Sequence, residues 1–505
     1  MTEKSVKKNF VINIIYQIAL ILFSLIVIPY VSRVLGEDGI GKYSFANTLN
    51  TYFLIISSLG FSTYAKREIA KSRNDKYKQC KIFWEVNICR GLFVCLIFII
   101  DLILIFCGVF GKYTNLMLIL SLYLVSVALD ISFFFYGNEE FGKVISLNLI
   151  IKTIGTVFIF IFVKQPSHVW LYALINCLIS FFSILFAWFF LKKKLVKVRF
   201  SELRPFRHLK GTLILYIPSL ALSLYNLIDN SLIGFITQSD AENGYYMQSE
   251  KIVKKILLVV NCLSVVMLPR NTHEISCGNL NKAKENIYNS LACIWLFGLP
   301  MTGGIIFAAN NFIPWFLGAS FNKSILLLQV LSALIIFIGA STVIGEQYLL
   351  PNRKDKHYVW AIIIGVVVSL LVNIPLIYCL GSLGAALTTA IAEFVILLIM
   401  LCMVAKELSL KRIFKSFVKP FVATLIMCLV IAPLSVVLSP SIPNTLLIIA
   451  CGVLVYAVSI LLLRDSLVIN SLRGIKNKFS NKSKSSTEPI IIENFAQSPD
   501  TSADE

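Results

Sequence analysis

Charge is scarce in this 505-residue sequence. Asp, Glu, Lys and Arg make up 14% of it, against 57% hydrophobic residues. A soluble domain carries about 25% charged residues, so this chain cannot cover a water-facing surface of its own size. Histidine is nearly absent, with 4 residues and no H-E-x-x-H, and no metal site is expected. The 12 cysteines form no C-x-x-C and mostly sit in apolar segments, as small buried hydrophobes do. A nucleotide loop is missing too. Gly36-x-x-x-x-Gly41-Lys42 imitates a Walker A loop, but Tyr43 stands where a Mg²⁺-binding hydroxyl is needed, and no strand precedes it. Nothing points to an ATP engine, a cofactor or an enzyme. Met1 to Lys8 is basic, but the apolar run behind it reaches Pro29-Tyr30 without a small-residue cleavage site, so the first helix is expected to be retained.

What is present is a series of apolar blocks of roughly 20 residues, the length of a helix crossing a ~30 Å hydrocarbon core. The fold expected is an all-α polytopic membrane protein with about fourteen transmembrane helices. The spans fall near 10–31, 42–63, 84–108, 115–136, 143–163, 168–191, 211–236, 252–268, 287–308, 324–345, 358–380, 385–405, 417–438 and 444–463. They group into a six-helix lobe (10–191), a basic linker (192–210), a second six-helix lobe (211–405) and helices 13 and 14 (406–463). Residues 1–9 form a short N-terminal segment, and 464–505 read as a disordered cytoplasmic tail.

The net charge of +19 suggests nucleic acid only until its distribution is seen. With the N-terminus inside, 36 of the 46 Lys and Arg fall in inner segments and 8 in outer ones, including Lys251, Lys254 and Lys255 in the connection after span seven. This is the positive-inside pattern. It places both termini in the cytoplasm, sets the basic loops beside anionic lipid, and leaves no need for a nucleic-acid partner. A shift of 203 residues overlays Gly41 on Gly244, Tyr43 on Tyr246 and span one on span seven, which suggests two parallel repeats with a substrate path between them.

Ionisable residues inside a bilayer usually face a bundle interior or a wet cavity, because each costs ~2.5–3.5 kcal/mol at a helix centre. Here they are Arg90, Asp101, Asp130, Lys152, Asp229 and Glu393, with Glu346 near a span end. Arg90 and Lys152 lie roughly 9–14 Å from the inner boundary and Asp130 roughly 9 Å. Two cations with one carboxylate suit either an anionic headgroup or an ion-pair lock between helices. For Asp229 and Glu393 the choice is between exchange of H⁺ or Na⁺ and hydrogen bonding to neighbours such as Asn226 or Asn230. The Phe133-Phe134-Phe135-Tyr136 run reads as lipid-facing and interface packing.

Several motifs resemble one family. Pro29-Tyr30-Val31-Ser32-Arg33-Val34-Leu35-Gly36 and Gly39-x-Gly41-x-Tyr43-Ser44-Phe45-Ala46 look like the opening of bacterial polysaccharide repeat-unit flippases. These are the Wzx-type members of the multidrug/oligosaccharidyl-lipid/polysaccharide exporter superfamily. Leu59-Gly60-Phe61, Ala65-Lys66-Arg67-Glu68-Ile69-Ala70, Phe134-Phe135-Tyr136-Gly137-x-Glu139, Lys152, Asp229-x-x-x-Ile233-Gly234, Gly381-x-x-Gly384-Ala385-Ala386 and Glu393 continue the likeness, from about residue 8 to 465. Family members often carry a basic residue after the span-seven aspartate, where this chain has Asn230.

The resemblance implies movement of a polyprenyl-diphosphate-linked oligosaccharide from the inner to the outer leaflet of the bacterial cytoplasmic membrane, by alternating access. Arg90 and Lys152 would meet the diphosphate on the loading side and Arg33 on the exit side, with Asp130 as ion-pair partner. Asp229 or Glu393 would couple the cycle to H⁺ or Na⁺. A polysaccharide polymerase and glycosyltransferases are the protein partners it suggests. The alternatives are a peptidoglycan-precursor flippase and a cation-coupled small-molecule or drug exporter of the same superfamily. The two extra spans weigh against the exporter, and no outer loop is large enough for a polymerase or transferase domain.

Overall fold

The computed structural model describes residues 3–192, 194–465 and 467–469. Most of the expected tail, from residue 470 onward, lies outside the described residues, as do residues 1 and 2 of the N-terminal segment. Apolar blocks without water must close their own backbone hydrogen bonds, and the helix does so within one segment. The described residues contain no strand. In order the helices are α1 (Glu3–Ser58), α2 (Phe61–Lys71), α3 (Lys76–Phe106), α4 (Thr114–Leu120), α5 (Leu122–Leu129), α6 (Ser132–Gly137), α7 (Phe141–Phe162) and α8 (Val169–Leu191). Then come α9 (Leu209–Thr237), α10 (Asp240–Ser276), α11 (Leu280–Phe316), α12 (Lys323–Leu331), α13 (Leu334–Ile344), α14 (Asp355–Leu380), α15 (Ser382–Val404), α16 (Leu410–Val437) and α17 (Ile442–Leu462).

Eleven helical stretches among the described residues are long and apolar enough to cross a membrane. The first of them carries two of the expected spans, because α1 breaks at Gly36 (φ 68, ψ 179), a left-handed conformation that only glycine adopts cheaply. The expected spans seven and eight fall on α9 and α10. Span four is divided among α4, α5 and α6, with an extended residue at Asp130. Span ten comprises α12, α13 and a π-helical turn over Gly345–Leu349.

Span eight departs from the reading of the sequence. It looked shortest, yet α10 runs 37 residues and starts at Asp240. Lys251, Lys254 and Lys255 therefore lie within the helix and not in a connection. Charged residues lowered the local hydropathy and hid the helix's first three turns. The Phe133–Phe135 run also differs from expectation. It is buried, at 1%, 3% and 0% exposed, against Phe83 and Trp188.

A large apolar core joins α1, α8, α10, α11, α13 and α15. Helices α16 and α17 pack on α11 through Ala308, Met427, Ile431 and Ile448. The two halves of the chain meet where α1 crosses α10. A Cβ at Gly41 would lie 1.6 Å from the Asp240 carbonyl oxygen, and one at Gly244 would lie 2.2 Å from that of Glu37. Phe45 meets Phe235 edge-on at 5.3 Å, and Gln248 donates to the Ser32 hydroxyl at 2.8 Å. Each of these two pairs of contacts interconverts under the same 203-residue shift. Contacts exchanged in this way are those of two lobes related by a two-fold axis, with the Gly41–Gly244 pair close to it.

The linker is held to the first lobe at the end of the bundle that carries the basic loops. The fully buried Glu85 carboxylate accepts from Arg207 Nη2 at 2.9 Å, His208 Nε2 at 2.8 Å and the Arg204 backbone N–H at 2.9 Å.

Candidate functional site

Two polar constellations occupy the interior, one in the second lobe and one between the lobes. The first centres on Asp229 of α9. Its carboxylate accepts from Asn373 Nδ2 at 2.6 Å, Thr389 Oγ1 at 2.7 Å and Tyr246 Oη at 2.8 Å. Four helices, α9, α10, α14 and α15, thus converge on one side chain. Asn230, one of the neighbours expected from the sequence, is not among these three. Asn230 instead accepts from the Ser44 hydroxyl of the other lobe at 3.4 Å. Glu393 receives the Tyr225 hydroxyl at 3.4 Å and lies within electrostatic reach of Asp229.

The groups around Asp229 are its own carboxylate, the Thr389 and Tyr246 hydroxyls, and the Asn373 amide, whose nitrogen faces the carboxylate. The Asn373 residue is fully buried, and its Oδ1 has no hydrogen-bond partner among the described residues. A carboxylate flanked by two hydroxyl oxygens is a donor set that suits a hard cation. No group of three or more His, Cys, Asp or Glu able to hold a metal occurs among the described residues.

The second constellation is cationic. Lys152 of α7, in the first lobe, lies within electrostatic reach of Lys255 of α10, in the second, and Lys251 lies within reach of Lys255. Lys254 is neutralised by Glu250 at 2.7 Å. Lys152, Lys251 and Lys255 are half-buried and make no ion pair with a described residue. Lys251 and Lys255 stand about 17 and 23 Å along α10 from its first residue, at ~1.5 Å per residue. They are deep in the bundle.

The remaining candidates are placed differently. Arg90 is 1% exposed, and its Nη2 donates to Asn87 Oδ1 at 2.6 Å and to the Asp130 carbonyl. Its Nη1 is 3.9 Å from the Asp130 carboxylate, and the guanidinium lies over the Phe133 ring. Arg90 and Asp130 thus come together across the α5–α6 break, apart from Lys152. Arg33 is exposed on α1, where its Cγ would be 3.5 Å from a Cβ at Gly318, beside the second lobe.

An apolar groove of about 750 Å³ runs between α11, α16 and α17, lined among others by Phe297, Met301, Phe312, Ile431, Ile448 and Tyr456. It includes Ile252 and Ile256 of α10, which are sequence neighbours of Lys251 and Lys255.

Comparisons with known proteins follow the same lines. Residues 6–273, more than half the chain, match the family described as Polysaccharide biosynthesis protein. A Putative O-antigen transporter of Escherichia coli (strain K12) is 24% identical over 407 residues, covering 79% of this chain and 97% of the relative. The structure of a protein titled Lipid II flippase MurJ, inward closed conformation, superposes with a TM-score of 0.70 at 18% identity, covering 90% of this chain and all of the other. An inward-facing multidrug resistance MATE transporter of the MOP superfamily follows at TM-score 0.60 and 14% identity, covering 78% and 94%. Sequence match, helical architecture and superposition agree: the chain belongs to the polysaccharide biosynthesis protein family, on the fold of the multidrug/oligosaccharidyl-lipid/polysaccharide exporter superfamily.

Proposed function

We propose that this protein moves a polyprenyl-diphosphate-linked oligosaccharide across the bacterial cytoplasmic membrane, with both termini in the cytoplasm, by alternating access. The observation that carries this reading is the set of half-buried cations that two lobes turn toward one another: Lys152 from one, Lys251 and Lys255 from the other. Like charges gathered in a low-dielectric interior repel; Glu250 lies within electrostatic reach of Lys251 but forms its salt bridge with Lys254, and none of the three lysines is salt-bridged to a described carboxylate. An anionic guest removes the repulsion and draws the two lobes onto itself. A diphosphate has the required charge. The apolar groove beside Ile252 and Ile256 suits the lipid portion. The O-antigen transporter relative supports a saccharide cargo.

Coupling belongs to the second lobe. Asp229, with Asn373, Thr389 and Tyr246, offers the oxygen donors for Na⁺ or a carboxylate for H⁺, and Glu393 adds a second negative charge nearby. Charge at Asp229 would then set how α9, α10, α14 and α15 pack, and α10 carries Lys251 and Lys255. Cation binding and cargo binding would act on the same helix. Polymerase and glycosyltransferases are the expected suppliers and users of the cargo.

The test is translocation of a fluorescent lipid-linked oligosaccharide in proteoliposomes. K152A, K251A and K255A should each slow transport, while K254A should do so less, because its charge is already balanced by Glu250. Wild-type rates in all of the first three would overturn the reading.

A further inference from the structure

Besides Glu85, the first lobe holds another buried carboxylate. Asp101 sits on α3, five residues before that helix ends at Phe106. It is fully buried, and neither of its carboxylate oxygens has a hydrogen-bond partner among the described residues. This isolation separates it from three other acids in the bundle. Asp229 has three donors, Glu393 has Tyr225, and Asp130 has Arg90, Ser62 and the Ser132 N–H.

The helices packed on α3 offer Asp101 no charge. Between Tyr43 and Ser58, the second half of α1 has only Tyr43 and Tyr52 as titratable groups. Across α4 and α5 there is only Tyr123. The cations of α2, namely Lys66, Arg67 and Lys71, lie at the basic end, and so does the Glu85–Arg207–His208 cluster. On α3 itself the nearest charge in sequence is Arg90, eleven residues away and engaged with Asp130. Among the described residues no charged side chain is within electrostatic reach of Asp101.

An ionised carboxylate without donor, counter-ion or solvent is far costlier to bury than the neutral acid, and such groups neutralise. We infer that Asp101 is a proton-binding site of the first lobe, carrying its proton as a carboxylic acid in this conformation. Release is a transfer from the carboxyl oxygen to water, leaving the carboxylate and a hydronium ion, and it requires water to reach α3. A place for that entry is visible. A pocket of about 510 Å³ lies just past the end of α3, walled by Val109, Phe110 and Tyr113 on one lobe and Gly234 and Phe235 on the other. Parting the lobes at Gly41 and Gly244 would widen it. The proton is thus occluded while the lobes meet there. The site is separate from Asp229, in the other lobe, and does not depend on Asp229 binding a cation.

The test uses the full-length protein in lipid nanodiscs and infrared difference spectra at neutral pH. Wild type minus D101N should show the carbonyl band of a protonated carboxylic acid, shifted on exchange into D₂O. D229N should keep that band, so a failure of the coupling role of Asp229 would leave this result untouched. D101E guards against poor folding of D101N and should restore an acid band at altered frequency. Absence of the band from the wild-type minus D101N difference, with a carboxylate band in its place, would show Asp101 ionised and overturn the inference.

Discussion

Lysine in a bilayer helix is expensive, and this chain places three such residues together between its lobes. Removing one relieves repulsion among the rest, so single alanine variants should be stable while transporting poorly. The double variant K251A/K255A should lose at least about tenfold in initial rate, equivalent to ~1.4 kcal/mol of lost cargo stabilisation, with an unchanged melting temperature. Asp229 should behave in the opposite manner. D229N removes the charge but keeps most of the hydrogen bonding, so the protein should fold and lose its response to an imposed Na⁺ or H⁺ gradient. N373A should weaken the same response with Asp229 intact, and a full response in both variants would remove this site from coupling.

The sequence made part of this legible. Asp229 and Glu393 stand out as acids in apolar runs, but their partners come from helices up to 160 residues away, and one-dimensional spacing cannot name Thr389 or Asn373. The i, i+4 spacing of Lys251 and Lys255, with their flanking apolar residues, was the available sign that a helix face, not a loop, carried them.

Among the elements, α10 and the first connection teach most. Hydropathy found the helical architecture but misplaced the start of α10, where charged residues enter the helix. Similarly, the aromatic run at Phe133 looked lipid-facing because composition does not reveal which neighbours cover it. The close contact of α1 with α10 depends on Gly41 and Gly244. A side chain at either position meets backbone, which cannot give way as a flexible side chain can. G41V and G244V should therefore hold the lobes apart at that end. A cysteine at Phe235 should then react with a membrane-impermeant thiol reagent in the variants several-fold faster than in the otherwise wild-type protein; equal rates would show that the contact does not close this end.

A smaller clamp lies outside the spans. Glu407, between α15 and α16, accepts from Tyr348 at 2.7 Å and from Lys354. The Lys354 and Tyr348 hydrogen bonds hold its carboxyl below the ordinary carboxylate range. A carboxyl lowered by folding stabilises the protein above its unfolded value, and that stabilisation is lost as pH falls through the folded value. Wild-type melting temperature should therefore drop on acidification below about pH 4 by more than that of E407Q. Because Glu407 and Lys354 are partly exposed, the difference should be small, under about 1 kcal/mol.

At the scale of the molecule, two lobes touch through contacts that repeat under a shift of 203 residues, while Glu85 ties the linker to the first lobe. The alternating access proposed above would be a rocking of the lobes about that contact. The pattern was faintly present in the sequence as an alignment of Gly41 with Gly244. Only the fold could show that the two aligned residues pack against each other.

Helices α16 and α17 stand outside the repeated pairs, and with α11 they border the apolar groove. An isoprenoid lying there would stay on the lipid side of the moving parts, so the lobes need enclose only the headgroup. Turnover should then vary little between carriers of eleven and four isoprene units, even though the longer chain is nearly three times the shorter. Under the proposed function the sugar would then limit cargo size, and the same protein should accept lipids of many lengths carrying one head.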